Sequence, residues 1–262
     1  MRDVVGTLFA AAMLLAGSGS LVHAEEMVAD RPGFGESAAV VGRGRVQLET
    51  GFAWTRVDGE ASVLDLPQAL LRVGVGASLE VRVLASDWLR AEGPDGTESG
   101  WSDTAIGLKW HVAAGGHDVS LRGVLFLPNG STPWSDRRTD PEGAVAWSHG
   151  WPGDWSIGAT VAVRHLGFLE TTLLSPSLAV GRALGRHAST FVEYGANLAD
   201  GARPLHRVDH GYAWLPNPET QLDLARARPL ERRPRLLHRP RLQPAVLRRT
   251  RQPSSDRWAW SF

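Results

Sequence analysis

The chain has 262 residues, with 28 Lys+Arg, 28 Asp+Glu and no Cys, and 43% of it is hydrophobic. That length holds one large or two modest domains with a sizeable core. The even charge argues against a nucleic-acid binder, and a Cys-free chain excludes a disulfide framework, a thiolate metal site, a Cys nucleophile and a lipoprotein anchor. The totals hide an asymmetry: residues 226–262 hold eleven Arg against Glu231 and Asp256, so the first 225 residues are acidic. Lys109 is the single lysine, and Gly (29) and Trp (11) are both high, which leans towards β structure.

Residues 1–24 read as a secretory signal. Arg2 gives a thin positive start, Val4 to Ala16 form an apolar stretch, and Val22-His23-Ala24 fits the small-residue cleavage pattern, leaving mature Glu25. No later stretch approaches the roughly 18 apolar residues of a spanning helix. After export the chain is therefore either soluble or a membrane β-barrel. Residues 25–43 have neither helical nor strand periodicity and read as an extended leader with turns at Pro32-Gly33 and Gly42.

Period-two alternation then starts abruptly. In 45–56, Val46, Leu48, Thr50, Phe52 and Trp54 oppose Gln47, Glu49, Gly51, Ala53 and Thr55. The pattern recurs over 68–75, 79–86, 103–112 and 118–127, and more weakly over 143–150, 155–165, 175–184, 188–195, 207–214 and 220–224. Gly115-Gly116 carries a hairpin signal. About eleven strands result, with no amphipathic helix. Short links (76–78, 114–117, 151–153, 185–187, 215–218) alternate with longer polar ones (56–66, 89–102, 128–142, 165–174, 196–206), as expected for an up-and-down barrel of the outer membrane. A soluble sandwich and a membrane barrel look alike in any one strand. Three features favour the barrel. The polar faces mix Gly, Ala and Ser with charges, as a tight lumen would. Trp54, Trp88, Trp110, Trp155 and Trp214 lie at or near strand ends, as in an interfacial aromatic girdle. The strand lengths suit a tilted crossing.

The stretch 225–262 breaks the pattern. Its density of Arg and of Pro229, Pro234, Pro240, Pro244 and Pro253 argues against both strand and helix. It reads as a basic arm for lipopolysaccharide phosphates or as a shifted reading frame in a GC-rich gene, and the codon logic favours the second. Trp258 to Phe262 alternate and end in Phe, like the C-terminal recognition strand of outer-membrane barrels.

Three segments carry a family resemblance. Asp30-Arg31-Pro32-Gly33-Phe34-Gly35-Glu36-Ser37, followed by Gly44-Arg45-Val46-Gln47-Leu48-Glu49-Thr50-Gly51-Phe52, is similar to an opening of the form D-R-P-x-x-T-E-S, then G-x-x-Q-L-E-x-G. Ser102-Asp103-Thr104-Ala105-Ile106-Gly107-Leu108-Lys109 resembles a central S-D-x-x-x-G-x-K strand. His206 to Leu215, with Asn217 and Gln221-Leu222-Asp223-Leu224, resembles a penultimate hairpin. Together they resemble outer-membrane proteins associated with transport and with the meta-pathway of phenol degradation, over roughly residues 30–224. Gly35 departs from the family's Thr, and the Arg/Pro tail replaces a Gly-rich turn and a closing strand, which puts closure of the barrel in question. The resemblance implies an all-β, antiparallel up-and-down transmembrane barrel of about twelve strands. It also implies a channel or transporter for small solutes, aromatic ones among the candidates. The expected organisation is signal 1–24, leader 25–43, barrel 44–224 and tail 225–262. Expected partners are outer-membrane lipid, an unidentified small solute and the barrel assembly machinery, with no nucleic acid.

Candidate lumen-lining residues are the charges on the polar faces: Glu49, Arg72, Glu80, Arg82, Asp103, Lys109, Arg122, Arg164, Glu193 and Asp209, with Arg45 and Asp223. Such charges need partners across a narrow lumen. His206 and His210 share a face but read as unmetallated, and no cofactor or metal is expected. No G-x-S-x-G elbow is present, and His165, Glu170 and Ser175 would have to be forced into a triad, so no enzyme is expected. The alternatives are a barrel with a lipid-modifying or structural role and a soluble periplasmic β-sandwich binding protein.

Overall fold

The computed structural model describes residues 27–57, 61–114, 117–135, 137–167, 169–230 and 257–261. The expected secretory signal at 1–24, the expected hairpin at Gly115-Gly116 and the tail over 231–256 lie outside the described residues. Every regular element described is a β-strand, and all pair antiparallel in one sheet of sixteen segments. Eight of these are halves of four interrupted crossings. The first crossing is β1 (Val46–Glu49) with β2 (Gly51–Val57), and the second is β3 (Ala61–Leu66) with β4 (Leu70–Gly74). The third is β5 (Leu79–Leu84) with β6 (Trp88–Gly93), and the fourth is β7 (Gly96–Trp101) with β8 (Ala105–Ala114). The breaks fall side by side at Thr50, 67–69, 85–87 and 102–104, so this part of the wall is bent along one line.

The other crossings are unbroken: β9 (His117–Phe126), β10 (Asp140–Trp151), β11 (Trp155–Leu166), β12 (Thr171–Ala183), β13 (Ala188–Ala199), β14 (Leu205–Asn217), β15 (Thr220–Pro229) and β16 (Arg257–Ser261). Twelve crossings result, the expected number. β16 pairs with β15 through Asp223–Ala227 on one side and with β2 through Gly51–Thr55 on the other. The last crossing thus meets the first, as the backbone demands in lipid, where an open edge has no water to bond.

The burial pattern is inside out. Arg72, Glu80, Lys109 and Glu193 are buried, whereas Leu108, Leu121, Val161, Leu178, Val192 and Tyr212 are exposed. A soluble sandwich would bury the second set. A membrane barrel presents it to hydrocarbon and keeps the charges in the lumen. The two faces follow from period two: Glu49, Ala53 and Thr55 point inward, and Val46 and Leu48 point outward.

Two expectations need correcting. The stretches read as long polar loops at 56–66 and 89–102 are largely strand, in β2–β3 and β6–β7. β7 (Gly-Thr-Glu-Ser-Gly-Trp) is exposed at nearly every position, so with water on both faces it has no reason to alternate polar with apolar. Strand structure also passes the expected end at 224. Ala225 and Ala227 are small enough to face inward, Arg226 and Arg228 face outward towards the rim, and Pro229 ends β15 where its missing N–H costs no ladder bond. The long link 127–139 holds the otherwise unpaired end of β7. Asn129 exchanges side-chain bonds with Thr104, Ser131 N–H donates to the Trp101 carbonyl, and Trp101 N–H donates to Ser131 Oγ.

Candidate functional site

The leader does not trail outside the barrel. It enters at the rim of short turns, where Met27 N–H donates to the Pro218 carbonyl at 3.0 Å. It rises to the middle of the lumen at Phe34 and Gly35 and returns to the same rim, where Gly44 N–H donates to the Gly74 carbonyl at 2.7 Å before β1 begins. Ser37 N–H donates to Asp30 Oδ1 at 3.1 Å and closes the bend in between.

One wall of the lumen grips this loop by charge. The ladder sets Arg72 of β4 directly opposite Arg82 of β5, and Lys109 of β8 directly opposite Arg122 of β9. Like charges in such positions repel. Wall carboxylates offset part of this: Glu80 takes Arg72 Nε at 2.9 Å, Glu49 takes Arg72 Nη1 at 2.9 Å and Glu142 takes Arg122 at 2.7 Å. The leader supplies the rest. Asp30 lies 2.6 Å from Arg82 and 3.2 Å from Lys109. Glu36 lies 2.7 Å from Arg122, 3.3 Å from Arg82 and 3.5 Å from Lys109. Two leader carboxylates thus converge on the same two cations. Backbone bonds complete the grip: Lys109 Nζ donates to the Ser37 carbonyl, Arg72 to the Val28 and Ala39 carbonyls, and Val41 N–H to Glu80. Burial alone would raise the Asp30 carboxyl, but Lys109, Arg82 and Arg72 outweigh it and hold the group well below the usual carboxylate range.

The facing wall is acidic and close-fitting. Glu193 of β13 accepts from the N–H groups of Phe34 and Gly35, the latter at 2.6 Å, and Thr160 of β11 accepts from Glu36 N–H at 3.1 Å. A Cβ on Gly35 would lie 2.3 Å from Ser177 Oγ, and one on Gly195 would lie 2.4 Å from the Phe34 ring. Phe34 stacks on the Arg207 guanidinium, 3.4 Å from ring centre to Cζ. The loop therefore turns its carboxylates to the basic wall and its N–H groups to the acidic one, and it occupies the lumen between them.

The expected lumen charges fall into three groups. Glu49, Arg72, Glu80, Arg82, Lys109, Arg122, Glu193 and Asp209 sit inside, most of them against the leader. Arg164 is also inside but nearer the other rim, with Asp140 at 3.1 Å and the Phe126 ring at 3.6 Å. Asp103 lies at the break between β7 and β8, where it accepts from Gly130 N–H and fixes the long link instead of lining the passage. Trp110, Trp155 and Trp214 point outward near the short-turn rim, together with Trp151. Trp54 and Trp88 are half-buried on the outer face of the upper half-strands. His206 and His210 share the outer face, with Tyr194 Oη bonded to His206 Nδ1 at 2.7 Å. His165 faces outward while Ser175 faces inward and donates to Asn197, so those two lie on opposite sides of the wall.

The sequence reading missed the leader residues Asp30, Phe34 and Glu36 and the wall residues Glu142, Thr160 and Ser177. The available signal was the register: once Arg72 opposes Arg82 and Lys109 opposes Arg122, anions from elsewhere are required.

Residues 29–235 match the family described as Putative MetA-pathway of phenol degradation. The chain belongs to this family. A comparison with curated proteins gives no match. Among solved structures, the chain is similar to an outer membrane channel from Pseudomonas putida F1, with a TM-score of 0.59 and 11% identity over 88% of this chain and 97% of that one. An anion-selective porin from Comamonas acidovorans gives a TM-score of 0.38 at 8% identity, over 83% of this chain and 97% of that one. The first likeness shows the fold, a β-barrel of the outer-membrane kind. This member of the phenol-degradation family is thus a β-barrel of the outer-membrane kind, with an apolar outer face and its own leader seated in the lumen.

Proposed function

We propose that the protein is an outer-membrane channel for small solutes whose own leader closes the lumen at mid-height. The seating of Asp30 and Glu36 between Arg82, Lys109 and Arg122 supports this reading. A loop held by ion pairs and hydrogen bonds, with no strand ladder of its own over 27–44, can leave without breaking the wall. Its departure exposes a lumen basic on one side and acidic on the other. Such a transverse field orients polar solutes as they pass. Aromatic compounds are the solute class that family membership suggests.

The test is ion conductance of the full chain in planar lipid bilayers. The wild-type protein conducts rarely, and the double variant Asp30→Asn/Glu36→Gln, which keeps the wall intact, conducts severalfold more often. A folded double variant as silent as wild type overturns the channel reading.

A further inference from the structure

We infer that the basic cluster of Arg82, Lys109 and Arg122 is a binding site for the carboxylate group of a small organic acid, occupied in this structure by the leader's own Asp30 and Glu36. The inference rests on the channel reading and names a solute class for the same lumen.

The geometry is that of a ligand site more than of a structural ion pair. The wall provides Glu80 for Arg72 and Arg82, and Glu142 for Arg122. Lys109 meets the leader three times, at Asp30, Glu36 and the Ser37 carbonyl. With the leader seated Lys109 is fully buried, and its ammonium is stable there because the leader brings the anions. When the leader lifts, Lys109 and the facing edge of Arg82 lose their carboxylates together. A solute carboxylate can then take the vacated place, with Arg122 beside it. Bonds between Arg or Lys and a carboxylate are the strong ones, and a neutral phenol offers the same donors an oxygen without the opposing charge. The leader also places an aromatic ring, Phe34, on Arg207 across the lumen, in the space left by Gly195. The loop therefore displays a carboxylate and an aromatic ring, the two features of an aromatic acid. A solute of that kind competes with the loop for the wall and favours the open state.

The experiment is equilibrium dialysis of radiolabelled benzoate against detergent-solubilised, folded Asp30→Asn/Glu36→Gln protein, with phenol as the neutral competitor. Benzoate is expected to bind about tenfold or more tightly than phenol, since one charge-assisted contact is worth about that much. Adding Arg82→Gln is expected to lower benzoate affinity about tenfold, and Arg122→Gln, at a more accessible position, does the same if the Arg82 variant fails to fold. Benzoate binding no tighter than phenol, or binding indifferent to both substitutions, overturns the inference. Currents through the same double variant separate this outcome from the channel reading. A protein that conducts without binding benzoate sinks the site and leaves the channel. A protein that binds benzoate without conducting sinks the channel and leaves a carboxylate site.

Discussion

The two walls of the lumen hold the same loop in different ways. The wall built from β4, β5, β8 and β9 holds it by charge, with four cations stacked in facing pairs that the ladder alone would not tolerate. The wall built from β11 to β14 holds it by fit, with Thr160, Ser177 and Glu193 so close that a Cβ at Gly35 would press on their side-chain oxygens, and with Gly195 leaving the space that Phe34 fills. The difference teaches that a barrel can leave its interior deliberately incomplete. One side is short of anions and the other has room for a backbone, and a single non-strand segment satisfies both.

The largest effect is expected from breaking the charged wall. Arg72→Met leaves Glu49 and Glu80 buried without their shared cation and is expected to cost about 3–5 kcal/mol. The heat-modifiable gel shift of the folded barrel should then occur at a markedly lower temperature, and an unchanged transition contradicts the assignment. The fitted wall is tested by Gly195→Val, which pushes on the Phe34 ring. Overpacking of this kind costs about 1–3 kcal/mol. Because the leader can move and the ladder cannot, the strain is expected to appear as raised conductance with a nearly unchanged unfolding temperature. A large loss of barrel stability with no gain in current would mean that Phe34 is not the element that yields.

The charged grip also predicts a pH window. The Asp30 carboxyl is depressed in the folded state, so its stabilising contribution is complete above the ordinary carboxylate pKa of about 3.9 and is lost as pH falls below that towards the folded value. The share of the closure that Asp30 supplies should therefore be flat from neutral pH down to about 4 and weaken only in stronger acid. Conductance of the wild-type protein across pH checks this, and channels that open between pH 7 and pH 5 would point to another group. The smallest effect lies outside both walls. Asn129→Ala removes the side-chain bonds that tie the long link to Thr104 and is expected to cost about 1 kcal/mol. Protease cleavage within 127–139 should speed up while the currents stay the same.

Much of the barrel was legible in the sequence because period two is a local property. The alternation of Val46, Leu48 and Phe52 with Gln47, Glu49 and Ala53 separates the two faces without knowledge of any neighbour. The upper half-strands were harder to read, since β7 stands in water on both sides and leaves no alternation to see. β15 ran past Leu224 because alternate residues 225 and 227 are alanine, a detail hidden beneath the Arg and Pro count. The lumen charges were visible on the polar faces, but their partners were not. Asp30 pairs with Lys109 across 79 positions, and Glu36 bonds to Arg122 across 86. Nothing local to Asp-Arg-Pro-Gly-Phe-Gly-Glu-Ser says that a barrel will close around it.

The most direct test of the leader inside the lumen uses the fact that the chain has no cysteine of its own. Gly35→Cys and Ser177→Cys would place one thiol on the leader and one on the wall. The Cβ position at 35 lies 2.3 Å from the Ser177 side-chain oxygen, so only a small outward shift of the loop gives disulfide geometry. With the leader seated, mild oxidation of the folded protein in membranes forms the bond in most molecules, and reduction restores whatever current the unlocked variant carries. A folded double variant whose two thiols both stay free under the same oxidation would show that the leader lies elsewhere.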